Sequence, residues 1–76
     1  MSTSFSEHAL EQLKRRKISK NLTLKVVKGY QEIIPSFKGR KLRRLKVGSK
    51  ILEVVTVREK SQVTVITAYY LEEDEN

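Results

Sequence analysis

The chain contains no cysteine and no tryptophan, a single histidine (His8), a single proline (Pro35) and three glycines among 76 residues. Without cysteine, neither a disulfide nor a thiolate metal site can form, and one histidine leaves too few ligands for a structural zinc centre. No metal site and no cofactor is expected. Long apolar runs are missing too. None approaches the roughly 20 residues that span a bilayer, and the N-terminus lacks the hydrophobic segment of a signal peptide. A soluble, cytoplasmic protein with no membrane partner is the expectation, and nothing in the sequence sets an oligomeric state. At this length one domain is predicted, near the lower limit of what folds without staples.

What the chain has in excess is positive charge. Sixteen Lys and Arg face nine Asp and Glu, and four of those acids are Glu72, Glu73, Asp74 and Glu75. Residues 1–71 therefore carry sixteen basic and five acidic side chains, a balance of +11. A field of that sign on so small a domain points to a polyanionic partner, nucleic acid foremost. The density is highest at Lys14-Arg15-Arg16-Lys17 and from Lys38 to Lys46. Lys14, Arg15, Arg16, Lys38, Arg40, Lys41, Arg44 and Lys46 are accordingly the expected RNA contacts. The organisation is a single domain over residues 1–71, followed by an acidic tail at 72–76 that is expected to be disordered.

Ser4 to Lys17 reads as a first helix. Ser4 and Glu7 have capping-box spacing, with Ser6 a competing N-cap, and Phe5, Ala9 and Leu13 form one apolar stripe. Ser19 is a suitable N-cap for a second helix over Lys20 to Lys28, with Ile18, Leu22, Val26 and Val27 on its buried side and Gly29 as the terminating glycine. Tyr30 to Phe37 is predicted extended, with Pro35 confining it to an edge. Arg40 to Tyr70 then divides at Gly48-Ser49 and again at Lys60-Ser61 into three strands rich in β-branched residues. The fold class expected is α+β, two N-terminal helices packed on a four-stranded, mainly antiparallel sheet in the order α-α-β-β-β-β.

Two-residue turns set the register. Val47 faces Lys50, Arg44 faces Glu53 as a cross-strand ion pair, and Leu42 faces Val55. Beyond the second turn Arg58 faces Val63, Thr56 faces Val65 and Val54 faces Thr67. One face collects Lys41, Arg43, Leu45, Leu52, Val54, Thr56, Arg58, Val63, Val65, Thr67 and Tyr69. The other collects Leu42, Arg44, Ile51, Glu53, Val55, Val57, Thr64, Ile66, Ala68 and Tyr70. The helices are expected on the second face, because Ala68 gives a helix room to approach. The first face is then open, a basic surface lined by Arg43, Arg58 and Thr67.

Phe5-Ser6-Glu7-His8-Ala9-Leu10, followed by Arg15, Arg16 and Ile18-Ser19, resembles the opening of a family of small bacterial proteins with a His-Ala pair on the first helix. Val65-Ile66-Thr67-Ala68-Tyr69 is similar to that family's last strand. The architecture also resembles the RelE-like toxins of the barnase/EndoU/colicin/RelE superfamily, over about residues 4–70. The resemblance implies a RelE-like fold and a toxin acting as a metal-independent endoribonuclease, with ribosome-associated mRNA as one target class and an antitoxin protein as a partner. It implies His8 as general acid or base, Arg15 or Arg16, Arg43 or Arg44 and Arg58 as phosphate-stabilising cations, and Thr67 and Tyr69 as polar groups at the scissile site. Cleavage of this type needs a base for the 2′-hydroxyl, an acid for the leaving oxygen and fixed positive charge for the phosphorane. One histidine excludes a histidine pair, so lysine or tyrosine must supply the second proton role. The acidic tail also stands where many RelE-like toxins have a basic C-terminal end. The alternatives are a non-catalytic RNA- or ribosome-binding module and a protein-interaction domain.

Overall fold

The computed structural model describes residues Ser2–Leu71; the acidic tail expected at 72–76 lies outside the described residues. The element order is β1 (Ser2–Phe5), α1 (Glu7–Arg16), α2 (Lys20–Gly29), β2 (Glu32–Pro35), a 3₁₀ turn (Phe37–Gly39), β3 (Arg40–Val47), β4 (Lys50–Glu59) and β5 (Gln62–Leu71). The sheet has five strands in the order β1-β5-β4-β3-β2, and β1 runs parallel to β5. This corrects the expected four-stranded, mainly antiparallel sheet: the class is α+β with two helices, but the sheet is mixed and the chain opens on a strand. No helix among the described residues is long and apolar enough to cross a membrane.

The additional strand comes from residues assigned by pattern to the first helix. Ser6, not Ser4, is the N-cap, its Oγ accepting from the Ala9 N–H at 3.0 Å. Its own N–H donates to the Val65 carbonyl at 3.0 Å, so the capping residue also closes the parallel ladder. Upstream of it, Ser4 and Thr64 share a hydroxyl hydrogen bond of 3.1 Å, and Gln62 Nε2 donates to Ser4 Oγ at 2.8 Å. Phe5 thus reaches the core from a strand and not from the helix stripe. Helix α1 ends on Lys17 in the left-handed conformation, whose N–H turns back to Leu13 and Lys14 carbonyls. Helix α2 begins at Ser19 as expected, its Oγ accepting from the Leu22 N–H at 3.0 Å. Its end differs, because Gly29 is the last helical residue and Tyr30 continues in extended backbone.

The β3–β4 hairpin has the register that its two-residue turn dictates: Val47 pairs with Lys50, Arg44 with Glu53 and Leu42 with Val55. Gly48 takes φ +63° in that turn, where a side chain would be strained. Pairing of β4 with β5 also begins as expected, Glu59 with Gln62, Arg58 with Val63 and Thr56 with Val65. Between Thr56 and Val55 the register then shifts, so that Val55 pairs with Thr67, Val54 with Ala68 and Glu53 with Tyr69. Ile66 is the extra residue of a β-bulge. One inserted residue carries every later side chain of β5 to the opposite face.

The covered face is the reverse of the expected one. Leu52, Val54, Val63, Val65 and Ala68 form the core with Ala9 and Leu13 of α1, Ile18 of the interhelix link, and Val26 and Val27 of α2. Arg43, which shares that face with Val54, lies under helix α2 and not on an open surface. Its Nη1 donates to the Val27 carbonyl at 2.8 Å, its Nε to Thr56 Oγ1 at 3.0 Å, and its guanidinium rests 5.3 Å from the Tyr30 ring centroid. The uncovered face therefore carries Arg40, Leu42, Arg44 and Lys46 of β3, Glu53, Val55 and Val57 of β4, and Thr64, Thr67 and Tyr69 of β5.

Candidate nucleic-acid interface

Glu53 organises the uncovered face. It is 3% exposed although neither helix packs over it. Arg44 from β3 and Tyr69 from β5 fold across it from either side. Arg44 Nε donates to Glu53 Oε1 at 2.5 Å, the Tyr69 hydroxyl donates to Glu53 Oε2, and Arg44 Nη1 reaches Glu32 Oε1 of β2 at 3.5 Å. A carboxylate left alone in such a place would be costly; here both its oxygens are satisfied. The hydrogen bond to Glu53 raises the Arg44 pKa above its usual value, so the cation persists at all working pH.

Burial, followed by the hydrogen bond to Glu53, pushes the Tyr69 phenol up from 10.0 to about 12. The folded chain therefore holds this proton more tightly than the unfolded chain does. The associated stability is fully present below about pH 10 and is lost as pH rises through about 12. Near-ultraviolet absorbance of the folded protein should show a tyrosine ionisation at about pH 12. In Glu53→Gln that late step should move down, because the negative partner is gone. A late step that is unmoved in Glu53→Gln and absent in none of the tyrosine variants would disconnect it from Tyr69.

Arg16 extends this network around the sheet edge. Strand β1 stops at Phe5, leaving the distal half of β5 without a neighbour on that side. From the last turn of α1, Arg16 Nη1 donates to the Ala68 carbonyl at 2.8 Å and to Thr67 Oγ1 at 3.5 Å, with the guanidinium 5.9 Å from the Tyr69 ring centroid. A chain of contacts thus runs Arg16, Thr67 and Tyr69, Glu53, Arg44, Glu32, from one side of the sheet to the other. Beyond Arg44 a groove of about 280 Å³ continues along Glu32, Lys46 and Ile51. The exposed Lys14, Arg15 and Lys17 flank Arg16 at the end of α1.

Of the five expected catalytic residues, Thr67 and Tyr69 come together on the uncovered face, opposite Val55 and Glu53 and no longer on the face of Val54 and Leu52. Arg43 is held beneath α2, and Arg58 is at the far end of β4, its Nε donating to the Lys60 carbonyl at 3.0 Å. His8 is exposed on the first turn of α1, off the helix side that buries Ala9, Gln12 and Leu13. Among the expected RNA contacts, Arg16 and Arg44 join the network. Arg40 and Lys46 share its face, with Arg40 opposite Val57 and Lys46 opposite Ile51. Lys41 faces the helix side opposite Thr56, and Lys38 is in the 3₁₀ turn with φ +61°. Glu53 and Glu32 were not among the expected site residues. The Arg44–Glu53 pairing was legible from the hairpin, but the contact with Tyr69 depends on the bulge.

No curated protein and no solved structure matches the chain. A family model does match, over residues 5–70, and the chain thereby belongs to the family described as Domain of unknown function (DUF4258).

Proposed function

We propose that this domain binds RNA through its phosphates, across the uncovered sheet face and the adjoining end of α1. The observation that carries the reading is Arg16, whose guanidinium is held by the Ala68 carbonyl beside Thr67 and the Tyr69 ring at the end of a basic helix. A guanidinium oriented in advance loses less freedom on meeting a phosphate than a mobile lysine does. The +11 balance of residues 1–71 supplies long-range attraction, and the ring of Tyr69 offers a partner for an unstacked base. Fluorescence anisotropy with a labelled single-stranded oligoribonucleotide tests this. Affinity should fall steeply with salt, and Arg16→Ala should weaken binding several-fold and flatten the logarithmic salt slope by about 1. Binding that is independent of salt, or unchanged in Arg16→Ala, would sink the proposal.

One observation favours a second reading, that of a ribonuclease of the RelE-like type. Tyr69 keeps its proton against Glu53 between two arginines, which places an acid, a carboxylate and two cations in one network. Cleavage by such a set would rest on Tyr69, Glu53, Arg16 and Arg44, with His8 reached only by the bound strand. The discriminating variant is Tyr69→Phe, which should abolish product on a denaturing gel while leaving RNA affinity within about twofold. Wild-type protein that binds RNA and yields no product excludes this second reading and leaves the first intact.

A further inference from the structure

We infer that Phe37 is a stacking platform for an unpaired RNA base, held at the end of the sheet by the turn between β2 and β3, with Lys38, Arg40 and Lys41 on the flanking phosphates. This rests on the RNA-binding reading above and adds to it a preference for single strands. Four large apolar side chains are exposed: Leu10, Tyr30 and Ile33 at 41%, 39% and 37%, and Phe37 at 73%. Tyr30 is already engaged by the Arg43 guanidinium. Phe37 stands apart from the others and contributes nothing to the core. Exposure alone says little, since single apolar side chains are common on surfaces. Here the backbone of the turn and the charge around it converge on the same ring.

The turn is closed by its own backbone. The Ser36 N–H donates to the Arg40 carbonyl at 2.8 Å, and the Arg40 N–H returns to the Phe37 carbonyl. Between them Lys38 and Gly39 are both left-handed, at φ +61° and +72°, so the chain reverses within two residues. A ring carried on a closed turn loses little freedom when a ligand stacks on it. The side chains of Lys38, Arg40 and Lys41 make no ion pair or hydrogen bond among the described residues. Arg40 pairs with Val57, which sets the β4–β5 turn at the same end of the sheet and adds Arg58 and Lys60 against Glu59. An aromatic ring among cations suits a ligand in which flat bases alternate with phosphates, and that is a nucleic-acid strand. An apolar protein surface would leave those cations without counter-charge. Bases inside a duplex offer no free face, so the platform selects single strands. Arg40 and Arg44 share the uncovered face about 13 Å apart along β3, at about 3.3 Å per residue, so one bound strand can cross Arg44 and end on Phe37.

Fluorescence anisotropy of the full chain with a labelled oligouridylate of about 12 nucleotides, and with a duplex RNA of the same length, tests this. On the single strand Phe37→Ala should bind about tenfold more weakly at every salt concentration. Its logarithmic salt slope should equal the parent's, because a base contact is lost and no phosphate contact is. That combination separates Phe37 from Arg16, whose loss flattens the slope. Phe37→Trp should keep the parent's affinity within about twofold, and on the duplex Phe37→Ala should match the parent within about twofold. The denaturation midpoint of Phe37→Ala should equal the parent's, since the ring lies outside the core. Single-strand affinity unchanged in Phe37→Ala, while Arg16→Ala weakens as expected, would overturn this inference alone and leave the ring to an apolar protein partner. An equal loss on duplex and single strand, or a flattened slope in Phe37→Ala, would also overturn it. A parent chain that binds neither RNA would overturn the RNA-binding reading and this inference together.

Discussion

Insertion of one alanine between Thr67 and Ala68 is expected to cost on the order of 5 kcal/mol, comparable with the whole stability of a domain of this length. The prediction rests on strand arithmetic. Past the bulge Val55 pairs with Thr67, Val54 with Ala68 and Glu53 with Tyr69. With one residue added after Thr67, the inserted alanine faces Val54, Ala68 faces Glu53 and Tyr69 faces Leu52. Tyr69 would be driven toward the helices, beside a Leu52 that is now 0% exposed, and Glu53 would lose the Tyr69 hydroxyl. Burying a tyrosine hydroxyl without a partner costs several kcal/mol on its own account, and overpacking adds to it. Deletion of Ile66 is the control, at about 1 kcal/mol, since it removes only the unpaired residue of the bulge and leaves Thr56 opposite Val65, Val55 opposite Thr67, Val54 opposite Ala68 and Glu53 opposite Tyr69. Denaturant unfolding compares the two. An insertion variant that unfolds cooperatively within about 1 kcal/mol of the parent would show that the residue count along β5 does not set its faces.

Replacement of Glu53 by alanine carries the second-largest expected effect, about 2–3 kcal/mol of stability. Removing one member of a fully buried ion pair costs more than this, because the remaining charge has nowhere to go. Here the Arg44 side chain is 30% exposed and also meets Glu32, so part of its charge is resolvated. The Tyr69 hydroxyl loses its acceptor and must turn to water. Glu53→Gln should cost about 1 kcal/mol, since an amide oxygen still accepts from one of the two donors. The combined variant Arg44→Met, Glu53→Leu, Tyr69→Phe should recover most of the stability, because an apolar layer has no charge to satisfy. That variant should nonetheless bind RNA several-fold more weakly because Arg44 is gone, which separates what the network does for folding from what its arginine does for the ligand. The midpoint of denaturation should move with little change in slope; a Glu53→Ala midpoint equal to the parent's would remove Glu53 from the centre of the site.

Local chemistry made much of this molecule legible beforehand. Ser19 caps the second helix, Gly48 and Lys60 take the left-handed turns, and two-residue turns propagate their register strand to strand, which is why the Arg44–Glu53 pair could be stated before any coordinates. Strand β1 was missed because Ser-Thr-Ser-Phe has no alternating pattern of its own. It becomes a strand by pairing with residues about sixty positions away, while Ser6 starts the helix only after that pairing ends.

The choice of covered face failed for an instructive reason. Ala68 was the correct indicator, since a helix does pack where it stands, but the bulge at Ile66 had carried it to the other face. The amino-acid order by itself determined the basic charge, the helix caps, the hairpin turns and the register up to Val65. The fifth strand, the face beneath the helices, and the meeting of Arg16, Tyr69, Glu53 and Arg44 were decided only by tertiary structure. Each depends on one inserted residue and on contacts between segments far apart in the chain, where period-two alternation carries no information.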